Sequence, residues 1–134
     1  MWLRDSAAQV RPYVKYAGED GQLQEILEGI IARQAKMVCV DPYANAFNES
    51  ANGAGAGYED EPLENAHVWE RKYEVDSLCY PLQLAYLIWK NTGCTDHLDE
   101  GFQEGAKKIL SRKFSSDSSP APPCDFVIFS TPAT

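Results

Sequence analysis

The chain has 134 residues, the length of one domain, and its 12 Lys and Arg against 20 Asp and Glu give a net charge of −8. An acidic chain with no basic cluster argues against nucleic acid as the main partner and has no attraction for an anionic membrane surface. No apolar run approaches the ~18 residues of a bilayer span, and the start lacks a signal-peptide pattern. The four cysteines, at 39, 79, 94 and 124, form no CxxC pair, so no zinc site is expected. No P-loop, GxGxxG or Ser–His–acid set is present, so no cofactor or metal is expected either.

The chain opens on a dense run, Met1-Trp-Leu-Arg-Asp-Ser6, where domain ends are usually loose and polar. Met1 therefore reads as an internal methionine used as a start. A first helix is predicted over about Ser6–Ala17, capped by Asp5 or Ser6, with Pro12 kinking it or ending its first turn. Gly18–Gly21 makes a tight connection.

A second helix is predicted over Leu23–Val40. Leu23, Ile26, Leu27, Ile30, Ile31, Met37 and Val38 follow the three-four spacing of one apolar stripe. Gln24, Glu25, Glu28, Arg33 and Lys36 hold much of the other face. Cys39 and, in the third helix, Cys79 read as small core residues.

Residues 41–74 form a long connection with a small, Gly-rich middle at 51–57. Its ends, Asp41–Asn48 and Trp69–Glu74, are rich in aromatic and charged residues. A third helix over Val75–Asn91 is apolar nearly all round and is predicted to be buried on most sides. Pro81 lies in its opening turns, and Thr92-Gly93 stops it. A fourth helix over His97–Lys113 takes Thr95 or Asp96 as its cap. Its stripe is Leu98, Phe102, Ala106, Ile109 and Leu110. Residues 115–123 are Ser/Pro-rich and are expected to be disordered; Phe126–Phe129 is a lone apolar run.

These elements form two αα-hairpins joined by a long loop, in which the third helix is inner and the second and fourth are outer. That alternation fits an α/α toroid. In a toroid every connection from an outer helix to the next inner one lies at the same end. Met1–Ser6 and the 41–74 connection are then expected to share one face.

Three segments carry chemistry suited to a sugar pocket. Met1–Ser6 sets an aromatic plane (Trp2), a fixed cation (Arg4) and a carboxylate (Asp5) at a helix start. Sugar C–H faces pack on aromatic rings, and vicinal hydroxyls take paired hydrogen bonds from Asp, Glu, Arg and Asn. The plain alternative is an Arg4–Asp5 structural pair beside a core Trp2. In Asp41–Asn48, Asn45 and Asn48 either bond their own backbone or point at a ligand. In Trp69–Asp76 every residue but Val75 is aromatic or charged. Glu70, Glu74 and Asp76 are carboxylates whose pKa burial can move, unless Arg71 and Lys72 pair with them and brace the loop. His67 and His97 read as surface or capping residues.

Together the strings MWLRDS followed by Gln9-Val-Arg-Pro-Tyr13, then DPYANAFN, then VWERKYEVDSLCYPLQLAYLIWK resemble glycoside hydrolase family 125. These are exo-acting α-mannosidases that include fungal meiotically up-regulated gene products. The resemblance covers about residues 1–95. It implies an all-α (α/α)6 barrel, of which two αα-hairpins are present. It also implies metal-free removal of terminal α-1,6-linked mannose with inversion, by an acid and a base standing ~6.5–9.5 Å apart. On it, Trp2, Arg4, Asp5, Asn45, Glu70, Lys72 and Asp76 bind or frame a mannose of a glycan. The acid and base are expected in motifs beyond this chain, so no catalytic residue is assigned within it.

The organisation expected is a partial toroid domain over 1–114 and a divergent tail over 115–134, for which a shifted reading frame is one origin. The chain reads as a truncated, inactive piece carrying the sugar-binding wall. The alternative is a non-catalytic helical carbohydrate-binding or interaction module.

Overall fold

The computed structural model describes residues 1–55 and 65–115, with side chains up to Ser111. The elements are α1 (Leu3–Val10), a 3-10 helix (Arg11–Tyr16), α2 (Gly21–Val40), β1 (Ala46–Phe47), β2 (Val68–Glu70), α3 (Val75–Thr92) and α4 (Glu100–Ser115). The chain is mostly helical, but the all-α expectation needs one correction: β1 and β2 pair antiparallel. The two ends of the long connection run back along each other, and their buried amides need partners. The expected Ser/Pro tail, the 126–129 run and Cys124 lie outside the described residues, as does Gly57.

α1 starts at Leu3, ahead of the predicted Ser6. Trp2 is extended (φ −89°, ψ 132°), and its carbonyl accepts the Ser6 amide at 3.1 Å. Asp5 and Ser6 therefore lie inside the first turn and do not cap it. Ser6 Oγ donates to the Leu3 carbonyl at 3.1 Å. The chain leaves α geometry at Val10 and tightens into the 3-10 helix that holds Pro12 in its first turn. Proline has no N–H for an α-helical bond there, and its fixed φ suits a helix start.

α2 begins at Gly21 because Asp20 caps it, accepting the amides of Gln22 and Leu23 at 3.0 and 3.1 Å. Such a cap is worth about 1 kcal/mol. Leu27, Ile31, Met37 and Val38 are buried as expected, whereas Ile26 is 61% exposed and leaves the stripe. Gln34, in the middle of the buried face, is fully buried instead.

α3 does not meet the expectation of burial on most sides. Leu78, Leu84, Ala85 and Ile88 make one buried face, while Tyr86 stays 47% exposed among the described residues. Gly93 ends the helix in the left-handed region (φ 74°), its amide bonded to the Trp89 carbonyl at 2.8 Å. α4 starts at Glu100, later than predicted. A turn closed by Leu98 N to Thr95 O (2.9 Å) comes first, and Asp99 Oδ1 then accepts the Phe102 amide at 2.8 Å. That turn buries His97, expected at the surface, to 5% exposure with Nε2 2.9 Å from the Ala85 carbonyl.

α1 packs on α3 and α2 on α4, with α2 also crossing α3. Two apolar clusters result. One joins Ala7, Leu27, Ile31, Leu84, Ile88 and Phe102 between the helices. The other joins Leu3, Val38, Phe47, Val68, Leu78 and Ile109 beneath the short sheet. Each large aliphatic buried this way contributes roughly 1.5–3 kcal/mol. Cys39, Cys79 and Cys94 are half-buried. No described helix is long and apolar enough to cross a membrane.

The α2–α4 contact is close at Gly105. A Cβ there would stand 3.2 Å from the Ala35 carbonyl oxygen, and backbone yields little. Gly105→Leu is expected to cost about 1–3 kcal/mol by overpacking. At Gly29 a Cβ meets nothing within 4 Å, so Gly29→Ala is expected to stabilise by about 0.5–1 kcal/mol. Urea unfolding of both variants reads the contrast; equal effects would remove the close approach as its cause.

Candidate functional site

Asn45–Asn48 lies between the other two motifs as the middle member of a short ladder. On one side Leu3 N donates to Asn45 O at 3.0 Å and Phe47 N to Met1 O at 2.9 Å, and Trp2 bridges Ala46. On the other side Asn45 N donates to Glu70 O at 3.3 Å and Asn48 N to His67 O at 2.8 Å. Ala46 pairs with Glu70 and Phe47 with Val68, with an irregular step between them. Ala44 to Asn48 are all buried, so these backbone groups have no water and must find each other. The expected convergence of the three segments follows from this ladder.

The side chains continue the same ties. Asn45 is 1% exposed; its Nδ2 donates to Glu70 Oε2 at 2.7 Å, and its Oδ1 accepts the Lys72 amide at 3.3 Å. Asn48 Nδ2 donates to the carbonyls of Ala54 and Ala66 at 2.8 and 3.0 Å, closing the stem of the long loop. Alternate residues after Glu70 take opposite partners, as side chains of an extended segment do. Arg71 pairs with Asp41 at 2.9 Å and lies 5.3 Å from the Tyr43 ring centre, and Tyr73 meets Tyr43 at 5.7 Å. Lys72 and Glu74 turn to the other side, 3.4 Å apart.

That second side carries an exposed charged rim. Arg4 Nη1 donates to Asp76 Oδ2 at 3.0 Å and stands 3.8 Å from Glu74 Oε2; Arg4 Nε is 3.6 Å from Asp5 Oδ1. Ser77 Oγ donates to Glu74 Oε2 at 2.8 Å. The Arg4 hydrogen bond holds the Asp76 carboxyl below its usual range. For Glu74 the Ser77 hydroxyl does most of this, aided by Asn45, Lys72 and Arg4. Both groups are thus kept ionised. Exposed pairs contribute only about 0–1 kcal/mol each, so this rim is a weak source of stability. Its value lies in presenting fixed donors and acceptors side by side.

Trp2, Arg4, Asp5, Asn45, Glu70, Lys72 and Asp76 are therefore all brought to one ladder and its rim. Trp2 keeps 39% of its surface exposed. Two further residues escape sequence reasoning. Ser77 is buried against Glu74, one residue past the dense motif. Gln34 Nε2 donates to the Leu3 carbonyl (3.1 Å) and Ser6 Oγ (2.8 Å), pinning the turn that carries Arg4. A lone amide within an apolar helical stripe is the signal available for it. Among the described residues no group of three or more His, Cys, Asp or Glu is placed to hold a metal ion.

Arg4→Gln tests the electrostatics. The Asp76 carboxyl is expected to rise toward the ordinary ~3.9, and Glu74 to rise less because Ser77 still holds it. Carboxyl NMR titration measures both. Their depressed values add stability that is present above the unfolded-state pKa and is lost as the pH falls through the folded one. The acid-unfolding midpoint of Arg4→Gln is therefore expected at higher pH than that of the unsubstituted chain. Equal shifts of the two carboxyls would overturn the assignment of causes.

A model of the family described as metal-independent α-mannosidase (GH125) matches residues 1–121. The chain is 40% identical over 98 residues to the meiotically up-regulated gene 157 protein of Schizosaccharomyces pombe, covering 68% of this chain and 19% of that protein. It is also similar to a solved metal-independent α-mannosidase of Streptococcus pneumoniae in a non-productive complex with α-1,6-mannobiose. There the identity is 53% and the TM-score 0.79, over 83% of this chain and 26% of that one. The chain thus spans about a fifth to a quarter of the length of these relatives. With the three motifs in one ladder and the match running through all of them, the chain belongs to glycoside hydrolase family 125, the metal-independent α-mannosidases.

Proposed function

We propose that this chain supplies the mannose-holding wall of a metal-independent α-mannosidase and does not cleave the glycan by itself. The observation that carries the reading is the rim at the ladder. Arg4, Asp5, Lys72, Glu74 and Asp76 present charged hydrogen-bonding groups chained by contacts of 3.0–3.8 Å, in the same ladder as the half-exposed Trp2. Vicinal sugar hydroxyls ask for such paired donors and acceptors, and a sugar's C–H face asks for a ring. The ligand follows from the Streptococcus relative, whose complex holds α-1,6-mannobiose.

The chemistry of the rim also supports binding without cutting. A general acid at a glycosidic bond needs a raised pKa so that it carries a proton to deliver. Glu74 and Asp76 are displaced the other way. A carboxylate already paired with Arg4 is also a poor base, because proton uptake would break that pair. Neither residue is therefore put forward as acid or base, and hydrolysis is assigned to residues outside this chain.

The resemblance to family 125 also implies a wider barrel. On it, the four helices are two αα-hairpins of an (α/α)6 barrel, with α1 and α3 inner and α2 and α4 outer. The pairing of α1 with α3 and of α2 with α4 supports it. Residues 1–114 are then a partial toroid domain and 115–134 a tail of different, Ser/Pro-rich character.

The test is a titration of the purified chain with α-1,6-mannobiose, followed by amide NMR, alongside an assay for released mannose. Binding in the millimolar range, about −4 kcal/mol, is expected with no mannose released. Arg4→Ala is expected to weaken it at least about tenfold by removing a charged hydrogen-bonding group. Turnover by the chain alone would overturn the wall-only reading, and absence of binding would overturn the sugar assignment.

A further inference from the structure

We infer that Asn45 and Glu70 are a positioning pair that sets the rim and do not themselves touch the sugar; this rests on the mannose-wall reading. Asn45 is 1% exposed, so its amide has no free face for a ligand. Each of its polar atoms is already committed. The backbone oxygen accepts Leu3 N and the backbone nitrogen donates to Glu70 O. In the side chain, Nδ2 donates to Glu70 Oε2 and Oδ1 accepts Lys72 N.

These four bonds reach the two segments that carry the rim. Leu3 immediately precedes Arg4, and Lys72 is followed two residues later by Glu74. A shift of Asn45 therefore moves Arg4 relative to Glu74 and Asp76, whose contacts with it at 3.0–3.8 Å define the rim. The requirement at position 45 is a group that donates to a carboxylate and accepts from an amide at once. Asn meets it with one side chain. Asp accepts from the Lys72 amide equally well but sets a second carboxylate against Glu70 at hydrogen-bond distance.

This predicts a chemical rescue. In Asn45→Asp the introduced carboxylate faces Glu70 and also Glu74, which Asn45 helps hold ionised, and the repulsion is relieved only when one of them is protonated. The clashing group's pKa is raised, so the defect is mild at acid pH and grows as the pH rises through the carboxylate range. In the double variant Asn45→Asp/Glu70→Gln the hydrogen bond re-forms with its direction reversed: the amide introduced at position 70 donates to the carboxylate introduced at position 45. In Glu70→Gln alone, the introduced amide's oxygen still accepts from Asn45.

The experiment is binding of α-1,6-mannobiose to these three variants and the unsubstituted chain, at about pH 7.5 and about pH 5. Amide NMR of Leu3 and Lys72 is recorded on the same samples without sugar. Asn45→Asp is expected to weaken binding about tenfold at the higher pH and less at the lower. Glu70→Gln is expected to bind within about threefold of the unsubstituted chain, a loss under ~0.7 kcal/mol, and the double variant to recover from the Asn45→Asp level toward it, with Glu74 still facing the carboxylate at position 45. The Leu3 and Lys72 resonances should move in Asn45→Asp and return in the double variant.

Loss of binding in Glu70→Gln equal to that in Asn45→Asp would overturn the inference, because Glu70 would then contact the sugar. So would failure of the double variant to recover either binding or the two resonances. If the unsubstituted chain binds no sugar, the mannose reading fails separately. The resonances then decide the pair on their own, since a return in the double variant supports it and no return overturns it.

Discussion

The structure depends on the hydrogen bonding of a buried stretch, Ala44–Asn48. A stretch with no access to water must pair its amides and carbonyls, because each orphaned group costs about 1–3 kcal/mol. Its partners are Met1 and Leu3 at the start of α1 on one side and His67 and β2 on the other. Small side chains at Ala44 and Ala46 let the three strips of backbone close up, and Phe47 anchors them on the cluster of Leu3, Val38, Val68 and Leu78. Everything at the rim follows from that arrangement. Arg4 leaves the first turn of α1, the Glu74–Asp76 carboxylates stand at the start of α3, and the ladder sets how far apart they are.

Two kinds of polar contact surround this ladder, and their energetics differ. Those made by the buried amides of Gln34, to Leu3 O, and of Asn45, to Glu70, are costly to break because the amide left behind is desolvated. The exposed ones, Arg4 with Asp76 and Lys72 with Glu74, are individually weak. Rigidity is therefore supplied from below the surface while the groups at the surface stay exchangeable. On the reading proposed above, a sugar hydroxyl then displaces water from these groups while the Arg4 and Lys72 pairs stay in place.

What is legible in the sequence is what period and composition can carry. Helix existence, the buried stripe of α2, the Gly93 stop and the clustering of the three motifs all come from spacing or from residue type. The misses have physical causes. α1 begins at Leu3 and not Ser6 because an extended Trp2, fixed by its bridge to Ala46, ends where the helix can start; that contact is long-range and invisible locally. The short sheet escapes because β1 and β2 are two and three residues long, too short to show a period. Ile26 fits the helical spacing, but the stripe is set by which neighbours reach it, and among the described residues none covers that position. His97 reads as a surface residue because a lone polar residue before a helix usually is one; the turn at Thr95–Leu98 folds it under Ala85 instead. Asn45 is legible as important but not as buried, since a loop of Asn, Ala and Tyr reads equally well as a ligand-facing surface.

On the reading proposed above, the rim holds a sugar and the cutting groups lie elsewhere. Holding a sugar calls for charged groups that stay charged and stay put. Ser77, Asn45, Lys72 and Arg4 do this for Glu74, and Arg4 does it for Asp76. Cutting a glycosidic bond calls for a carboxyl whose proton is held loosely enough to give and tightly enough to keep near neutral pH. One local environment cannot meet both demands. Donors that lower a carboxyl's pKa to fix a rim remove the proton a general acid needs. On that reading, Glu74 and Asp76, both held below the usual carboxylate range, serve binding. On the same reading, an acid belongs where desolvation outweighs such donors, away from the rim that Asn45 organises.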